Sequence, residues 1–284
     1  MLASDKLVLP RRPDYTGRTD REAVPVKFSA NLSFLYQELD FLDRFAAAAR
    51  DGFPAVEYMA PYAESKEAIA EALRTNHLEQ ALFNVPAGDW AAGERGIAAL
   101  QGRSDEFRAG IATALDYAAA LNCPKLNVIC GLAPPGADLE AMEQTLIANL
   151  QYAAPRCADA GVKLLIEPIN QRDMPGFFLS TTALAERILD RVGPPNLYLQ
   201  DDLYHAQVMQ GDLVPTYERL RDRIAHIQVA DTPGRHEPGT GEINWSFVLP
   251  ELERLGYDGY IGCEYRPKTT TTAGLGWLTP FLPA

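Results

Sequence analysis

Four short apolar runs in the second half of this chain each carry, at or near their ends, a side chain with an oxygen to offer. KLLIEP holds Glu167, LYLQDD ends on the doublet Asp201–Asp202, AHIQVAD carries Gln228, and YIGCEY carries Glu264. If these runs are strands, successive side chains alternate between the two faces. Leu164 and Ile166 take the outer face, so Lys163, Leu165 and Glu167 face inward. Leu197 and Leu199 turn Tyr198, Gln200 and Asp202 inward, which makes Asp202 rather than Asp201 the functional member of the doublet. The same rule aims Gln228 and Glu264 inward, behind Ile227 and Cys263. Three carboxylates and an amide converging on one point repel one another unless a cation joins them. Hard oxygen donors suit Mg²⁺ or Mn²⁺ better than zinc. A divalent metal site of Glu167, Asp202, Gln228 and Glu264 is therefore expected. His205 follows Asp202 by three residues, and Arg235 lies in the Gly/Pro-rich stretch DTPGRHEPGTGEIN with His236. His205 and Arg235 are the groups expected to hold a small anionic substrate. His77 and His226 read as structural.

The elements that must position these groups can be read from periodicity. Eight strand-like runs follow one another: VKFSAN, AVEYM, EQALFN, KLNVIC, KLLIEP, LYLQDD, AHIQVA and YIGCEY. Between them lie amphipathic stretches with apolar residues every three or four positions. Leu35, Leu39, Leu42, Phe45 and Ala49 predict a helix before Gly52; Phe107 to Leu121, Leu139 to Cys157, and Phe247 to Leu255 predict others. Strands alternating with helices imply βα units and a parallel sheet. Eight strands close a (β/α)₈ TIM barrel, an α/β fold whose active sites lie at the C-terminal ends of the strands. The open doubly wound alternative would carry a glycine-rich phosphate turn, and the chain has neither GxGxxG nor a P-loop. A single barrel domain is expected over residues 26–284, preceded by an irregular, charge-rich arm at 1–25. That arm is either a tail or a segment that packs on a neighbouring subunit of a homo-oligomer. NVPAGDWAAGERGIAALQGR forms a second long loop, in which Trp90 is placed to cover a pocket.

Composition narrows the function. The chain has 284 residues, 26 Lys+Arg against 38 Asp+Glu, and a formal net charge of −12. That acidity argues against a nucleic-acid partner, which needs a basic surface. No apolar run approaches the roughly 18 residues of a membrane-spanning helix. The N-terminal segment lacks the apolar core of a secretion signal. Cys123, Cys130, Cys157 and Cys263 sit in apolar surroundings without CxxC spacing, and read as free thiols of a cytoplasmic protein.

Longer strings carry a resemblance. FSANLSFL, FNVPAGDWAAGERGIAALQGR, LLIEPIN, QDDLYHAQ, HIQVAD, EPGTGEINW and GCEYRPKTTTTAGLGW resemble the hydroxypyruvate isomerase family, from about Lys27 to the C-terminus. That family belongs to the xylose-isomerase-like barrel superfamily, which also holds ketose epimerases and endonuclease IV. The resemblance implies interconversion of hydroxypyruvate and tartronate semialdehyde, with Glu167 and Glu264 as the acid/base pair. It implies a metal-binding aspartate at Asp202, with His205 beside it. Gln228 stands where sugar epimerases usually have His, which favours the isomerase branch; Asp201 departs from the usual apolar or aromatic residue. The chemistry agrees: moving a carbonyl to the adjacent carbon needs one group to take a proton and another to return it. A chelated divalent cation would stabilise the enediolate between those steps. The competing readings are a 2-oxo-tetronate isomerase, a ketose 3-epimerase and a sugar-acid binding protein without activity. Endonuclease chemistry needs several histidines at its zinc site, and the whole chain has four.

Overall fold

The computed structural model describes residues 26–193 and 195–281. The expected arm at 1–25 lies outside them. All eight expected runs are strands: β1 Lys27–Asn31, β2 Ala55–Tyr58, β3 Glu79–Asn84, β4 Lys125–Val128, β5 Lys163–Ile166, β6 Leu197–Asp202, β7 Ile224–Val229 and β8 Tyr260–Cys263. Each pairs parallel with the next, and β8 returns to β1 with Ile261 opposite Phe28, so the sheet closes into a single barrel. The helices are α1 Asp43–Arg50, α2 Lys66–Thr75, α3 Ser104–Leu121, α4 Leu139–Asp159, α5 Thr182–Val192, α6 Leu203–Met209, α7 Leu213–Leu220, α8 Trp245–Arg254 and α9 Thr271–Gly274. Ser65, Asp138 and Thr181 cap α2, α4 and α5 by accepting from backbone amides of the first turn. Among the described residues, no helix is long and apolar enough to cross a membrane.

The main apolar core lies between the barrel and its ring of helices. Leu126, Leu164, Ile166 and Ile227 are fully buried in the same cluster as Phe107, Ile111, Leu146 and Leu150. The barrel lumen is different. Ser29, Asn31, Glu57, Asn127, Gln200 and His226 are all buried there with the expected site residues, in a hydrogen-bonded polar stack. The alternation that exports leucine and isoleucine to the helices leaves this stack inside.

One expected helix is shorter than its pattern. Leu35 to Leu42 are not helical; α1 begins only at Asp43. Tyr36 adopts a left-handed φ of 57°, and its amide donates to Thr271 Oγ1 at 2.7 Å. Gln37 donates to the carbonyls of Leu32 and Leu35. A tertiary partner and a local side chain thus claim backbone groups that a helix would have paired, while the apolar spacing still buries Leu35. The four cysteines are free and buried.

Gly262 on β8 faces Glu57 across the lumen, and a Cβ there would collide with the Glu57 carboxylate oxygens. Gly262→Ala should therefore destabilise the barrel by about 1–3 kcal/mol, the usual cost of overpacking. Urea unfolding of the variant beside wild type measures it.

Candidate active site

Each group in the site is delivered by a strand end and fixed by a local bond. Glu167 follows β5 and accepts at Oε2 from Asn127 Nδ2 at 2.8 Å. Asp202 ends β6 and caps the short helix α6, its Oδ1 accepting from the amides of Tyr204 and His205 at 2.8 and 3.4 Å. That cap turns His205 back over the barrel. Its Nε2 lies 3.5 Å from Asp202 Oδ2 and 3.9 Å from Glu167 Oε1. On the other side of the ring, Asn170 Nδ2 is 2.6 Å from Nδ1. An amide N–H donated to Nδ1 leaves the ring proton on Nε2, facing the carboxylates.

Arg235 reaches the same point from the loop after β7. Asp231 pins that loop, accepting from the amides of Thr232, Gly239 and Ile243 and from the Trp245 indole at 2.8–3.1 Å. The Arg235 guanidinium lies 4.7 Å from the Phe34 ring centre and 5.1 Å from that of Tyr204. Its Nη2 donates to Glu264 Oε1 at 2.6 Å and to Asp202 Oδ2 at 3.4 Å. His236, by contrast, turns to the rim and bonds the Arg266 carbonyl.

Glu264 follows β8. Its Oε2 accepts from Asn31 Nδ2 and Gln228 Nε2, both at 2.7 Å. Gln228 was expected to offer its amide oxygen inward. Here that oxygen accepts from Gln200 Nε2 at 2.7 Å, and Nε2 faces the two carboxylates Glu57 and Glu264. The physical reason is that carboxylates only accept, so an amide placed between two of them turns its N–H₂ toward both.

The electrostatics follow from packing several carboxyls in a dry space. Burial, then the Asp202 charge, pushes the Glu167 carboxyl up to about 8, against the pull of Arg235 and Asn127. Burial likewise raises Glu264 well above the usual carboxylate range, although Arg235 opposes it. Burial lowers His205 to about 4, so the imidazole is neutral at physiological pH. For Glu57, burial works upward, yet His226 and the hydrogen bonds from Gln228 and Ser29 outweigh it and hold the carboxyl low.

Glu167, Asp202 and His205 present ligand atoms within 4.8 Å of one another, all buried. The two carboxylates are hard donors that fit a divalent cation, while the N–H on His205 Nε2 faces the same point as a hydrogen-bond donor. Above them opens a cavity of about 630 Å³ lined by Phe34, Met59, Trp90, Arg95, Arg235 and Glu264. Hollows of about 680 and 710 Å³ lie elsewhere, one at the strand N-termini around Lys125 and one beside the mouth around Phe41 and Tyr62. Neither holds converging carboxylates, so the chemistry singles out the mouth. Trp90 sits at its rim, 39% exposed, with the Arg95 guanidinium 4.2 Å from its ring. Sequence reasoning missed Glu57, Asn31, Asn127 and Asn170. A glutamate inside the apolar run AVEYM was the one available signal for Glu57.

Comparison with known proteins places this site in context. Residues 45–281 match the family model described as the xylose isomerase-like TIM barrel. The chain is 50% identical over 256 residues to hydroxypyruvate isomerase of Escherichia coli (strain K12), spanning 90% of this chain and 99% of that protein. It is also 50% identical over 256 residues to 2-oxo-tetronate isomerase of Cupriavidus necator, spanning 90% of this chain and 98% of that one. Among solved structures, an AP endonuclease, family 2, from Brucella melitensis matches with a TM-score of 0.89 at 45% identity, over 92% of this chain and 100% of that one.

The aspartate doublet yields a test. Asp202 belongs to the cluster, while Asp201 faces a small space beside Ser180, Thr182 and Met209, where its Oδ2 has no partner among the described residues. Burial, then the Asp202 charge, pushes the Asp201 carboxyl up to about 7. Its raised folded pKa means that its favourable contribution is complete below its ordinary value and is lost as pH rises through about 7. Asp201→Asn should keep turnover, and its unfolding midpoint should gain on wild type at pH 8 and hardly at pH 4. Asp202→Asn should lose about a hundredfold or more in turnover, as misplacement of reacting groups does. Thermal unfolding at the two pH values and turnover of both variants check this.

Proposed function

This chain belongs to the xylose isomerase-like TIM barrel family, and from that premise we propose that it interconverts hydroxypyruvate and tartronate semialdehyde. The single observation that carries the proposal is the pair Glu167 and Glu264, both buried with raised carboxyls, Glu167 beside Asp202 and Glu264 joined to Asp202 through Arg235. The half-identical isomerases support it. The reaction takes a proton from C3 of hydroxypyruvate and delivers one to C2, while the hydroxyl proton passes from O3 to O2. Two raised carboxyls in one dry pocket hold, between them, a proton to give and an oxygen to receive one at neutral pH. His205, neutral with its N–H toward the cluster, donates to a substrate oxygen as charge builds on it. Arg235 keeps the substrate carboxylate in place through the N–H edge that Glu264 and Asp202 leave free. A buried guanidinium recognises a carboxylate strongly and in a fixed plane.

A divalent cation, Mg²⁺ or Mn²⁺, would be held by Glu167 and Asp202, with Glu264 and His205 beside them, and Gln228 would join only by turning its amide. When bound, it would draw charge from the substrate carbonyl and hydroxyl oxygens and acidify the C–H bond between them. Four buried free thiols suit a cytoplasmic protein. DNA cleavage is the weaker reading, because the cluster holds one histidine and the chain carries a net charge of −12. A 2-oxo-tetronate is the second substrate to test, since a three-carbon acid fills a small part of the 630 Å³ mouth.

NMR assays with hydroxypyruvate, 2-oxo-tetronate and free ketoses in parallel, with and without Mg²⁺ or Mn²⁺, test the function. Conversion of an oxo acid is expected; conversion of ketoses alone would make the protein an epimerase. Glu167→Gln and Glu264→Gln should both fold and each lose about 10²–10⁴-fold in turnover, the usual cost of a missing acid or base. Near-full turnover of either variant would remove that glutamate from the proton path.

Arg235→Ala should lower kcat/KM for hydroxypyruvate far more than for a ketose, by about 2–5 kcal/mol, as truncating one partner of a buried charged pair does. An equal loss on both substrates would mean that Arg235 serves only Glu264 and Asp202.

A further inference from the structure

Below the proposed reacting groups lies a carboxylate that touches no substrate. Glu57 on β2 is fully buried in the lumen. It accepts from Ser29 Oγ at 2.7 Å, Asn31 Nδ2 at 3.2 Å and Gln228 Nε2 at 2.7 Å, and His226 Nε2 lies at 2.8 Å. Gly262 leaves the space it occupies. A carboxylate has no hydrogen to give, so both amides must show it their N–H₂ groups. Each of those groups has a second hydrogen, and each sends it to Glu264 Oε2 at 2.7 Å. The far ends of both amides are also taken. Gln228 Oε1 accepts from Gln200, and Asn31 Oδ1 accepts from the Ser33 amide at 3.0 Å.

We infer that Glu57 is a positioning residue for the isomerase reaction: it fixes the amides of Asn31 and Gln228 as donors, and through them fixes Glu264. The consequence is an asymmetric Glu264. Its Oε2 is saturated by two N–H donors, so Oε1, beside Arg235, is the oxygen that exchanges a proton with substrate. Asn31 and Gln228 share Glu57 Oε1 as their acceptor, so methionine at position 57 keeps the length and removes that acceptor. Both amides then lose the partner that fixes them as donors to Glu264. A buried polar atom left without a partner carries the full cost of its lost hydration.

The kinetic arm rests on the isomerase reading; a second arm does not. In the first, Glu57→Met should fold and lose about 10²-fold in kcat, the cost of misplacing a reacting group, with KM within about threefold because substrate contacts stay. Its loss should not multiply with that of Gln228→Met, because the two act through one chain of bonds. In the second arm, the side-chain amides of Asn31 and Gln228 are followed by ¹⁵N NMR, assigned with Asn31→Ser and Gln228→Met. Their N–H₂ groups should exchange slowly with solvent in wild type and at least about tenfold faster in Glu57→Met, as opened hydrogen bonds do. If Glu57→Met does not fold, Glu57→Asp keeps the charge and withdraws the acceptor by one methylene, with the same two effects expected. Unchanged amide exchange, or kcat within twofold of an active wild type, overturns the assignment. A wild type inactive on every oxo acid would sink the isomerase reading, and the exchange arm would still decide the role of Glu57.

Discussion

Glu167, Asp202 and Glu264 share the dry end of the barrel with one guanidinium, that of Arg235. Taking a carboxylate out of water costs several kcal/mol unless charge and hydrogen bonds replace the hydration. The lumen is built around that constraint. Asn127, Asn31 and Gln228 each turn an N–H toward a carboxylate oxygen, and His205 turns its ring nitrogen the same way. The replacement is incomplete for Glu167 and Glu264, and their raised carboxyls are the result. A group that takes a proton from carbon must bind it more firmly than an ordinary carboxylate does, and incomplete compensation raises the proton affinity of these two carboxyls in that direction.

The loops serve the same end. Asp231 spends both oxygens on fixing the segment that carries Arg235, so the guanidinium arrives on a rigid support. Arg235 itself sits at a left-handed φ of 53°, and its carbonyl accepts from the Arg266 amide at 2.8 Å, tying this loop to the one after β8. Second-layer bonds of this kind hold reacting groups in one geometry before substrate arrives.

Much of this was legible in the sequence, for physical reasons that differ by residue. The strands were plain because short apolar runs alternate eight times with amphipathic stretches, and side-chain alternation pointed to Asp202 over Asp201. Arg235 was singled out from the length and composition of its loop. Periodicity failed at Leu35–Leu42, because a tertiary hydrogen bond to Thr271 and local side-chain bonds from Gln37 outweigh apolar spacing. Gln228 was placed at the right point with the wrong end inward, since the orientation of an amide depends on a partner, Glu57, that is 171 residues away in the chain. Glu57 was passed over because one acidic residue inside a four-residue strand carries no pattern of its own.

The central claim is that these glutamates move a proton between adjacent carbons, rather than letting a hydride pass directly from one to the other. The most direct measurement is the reaction of wild-type protein with hydroxypyruvate in D₂O, followed by NMR and mass spectrometry of product and recovered substrate. Proton transfer through Glu167 and Glu264 predicts solvent deuterium on carbon in tartronate semialdehyde. Product that forms at full rate while keeping only the hydrogen that hydroxypyruvate brought would contradict it.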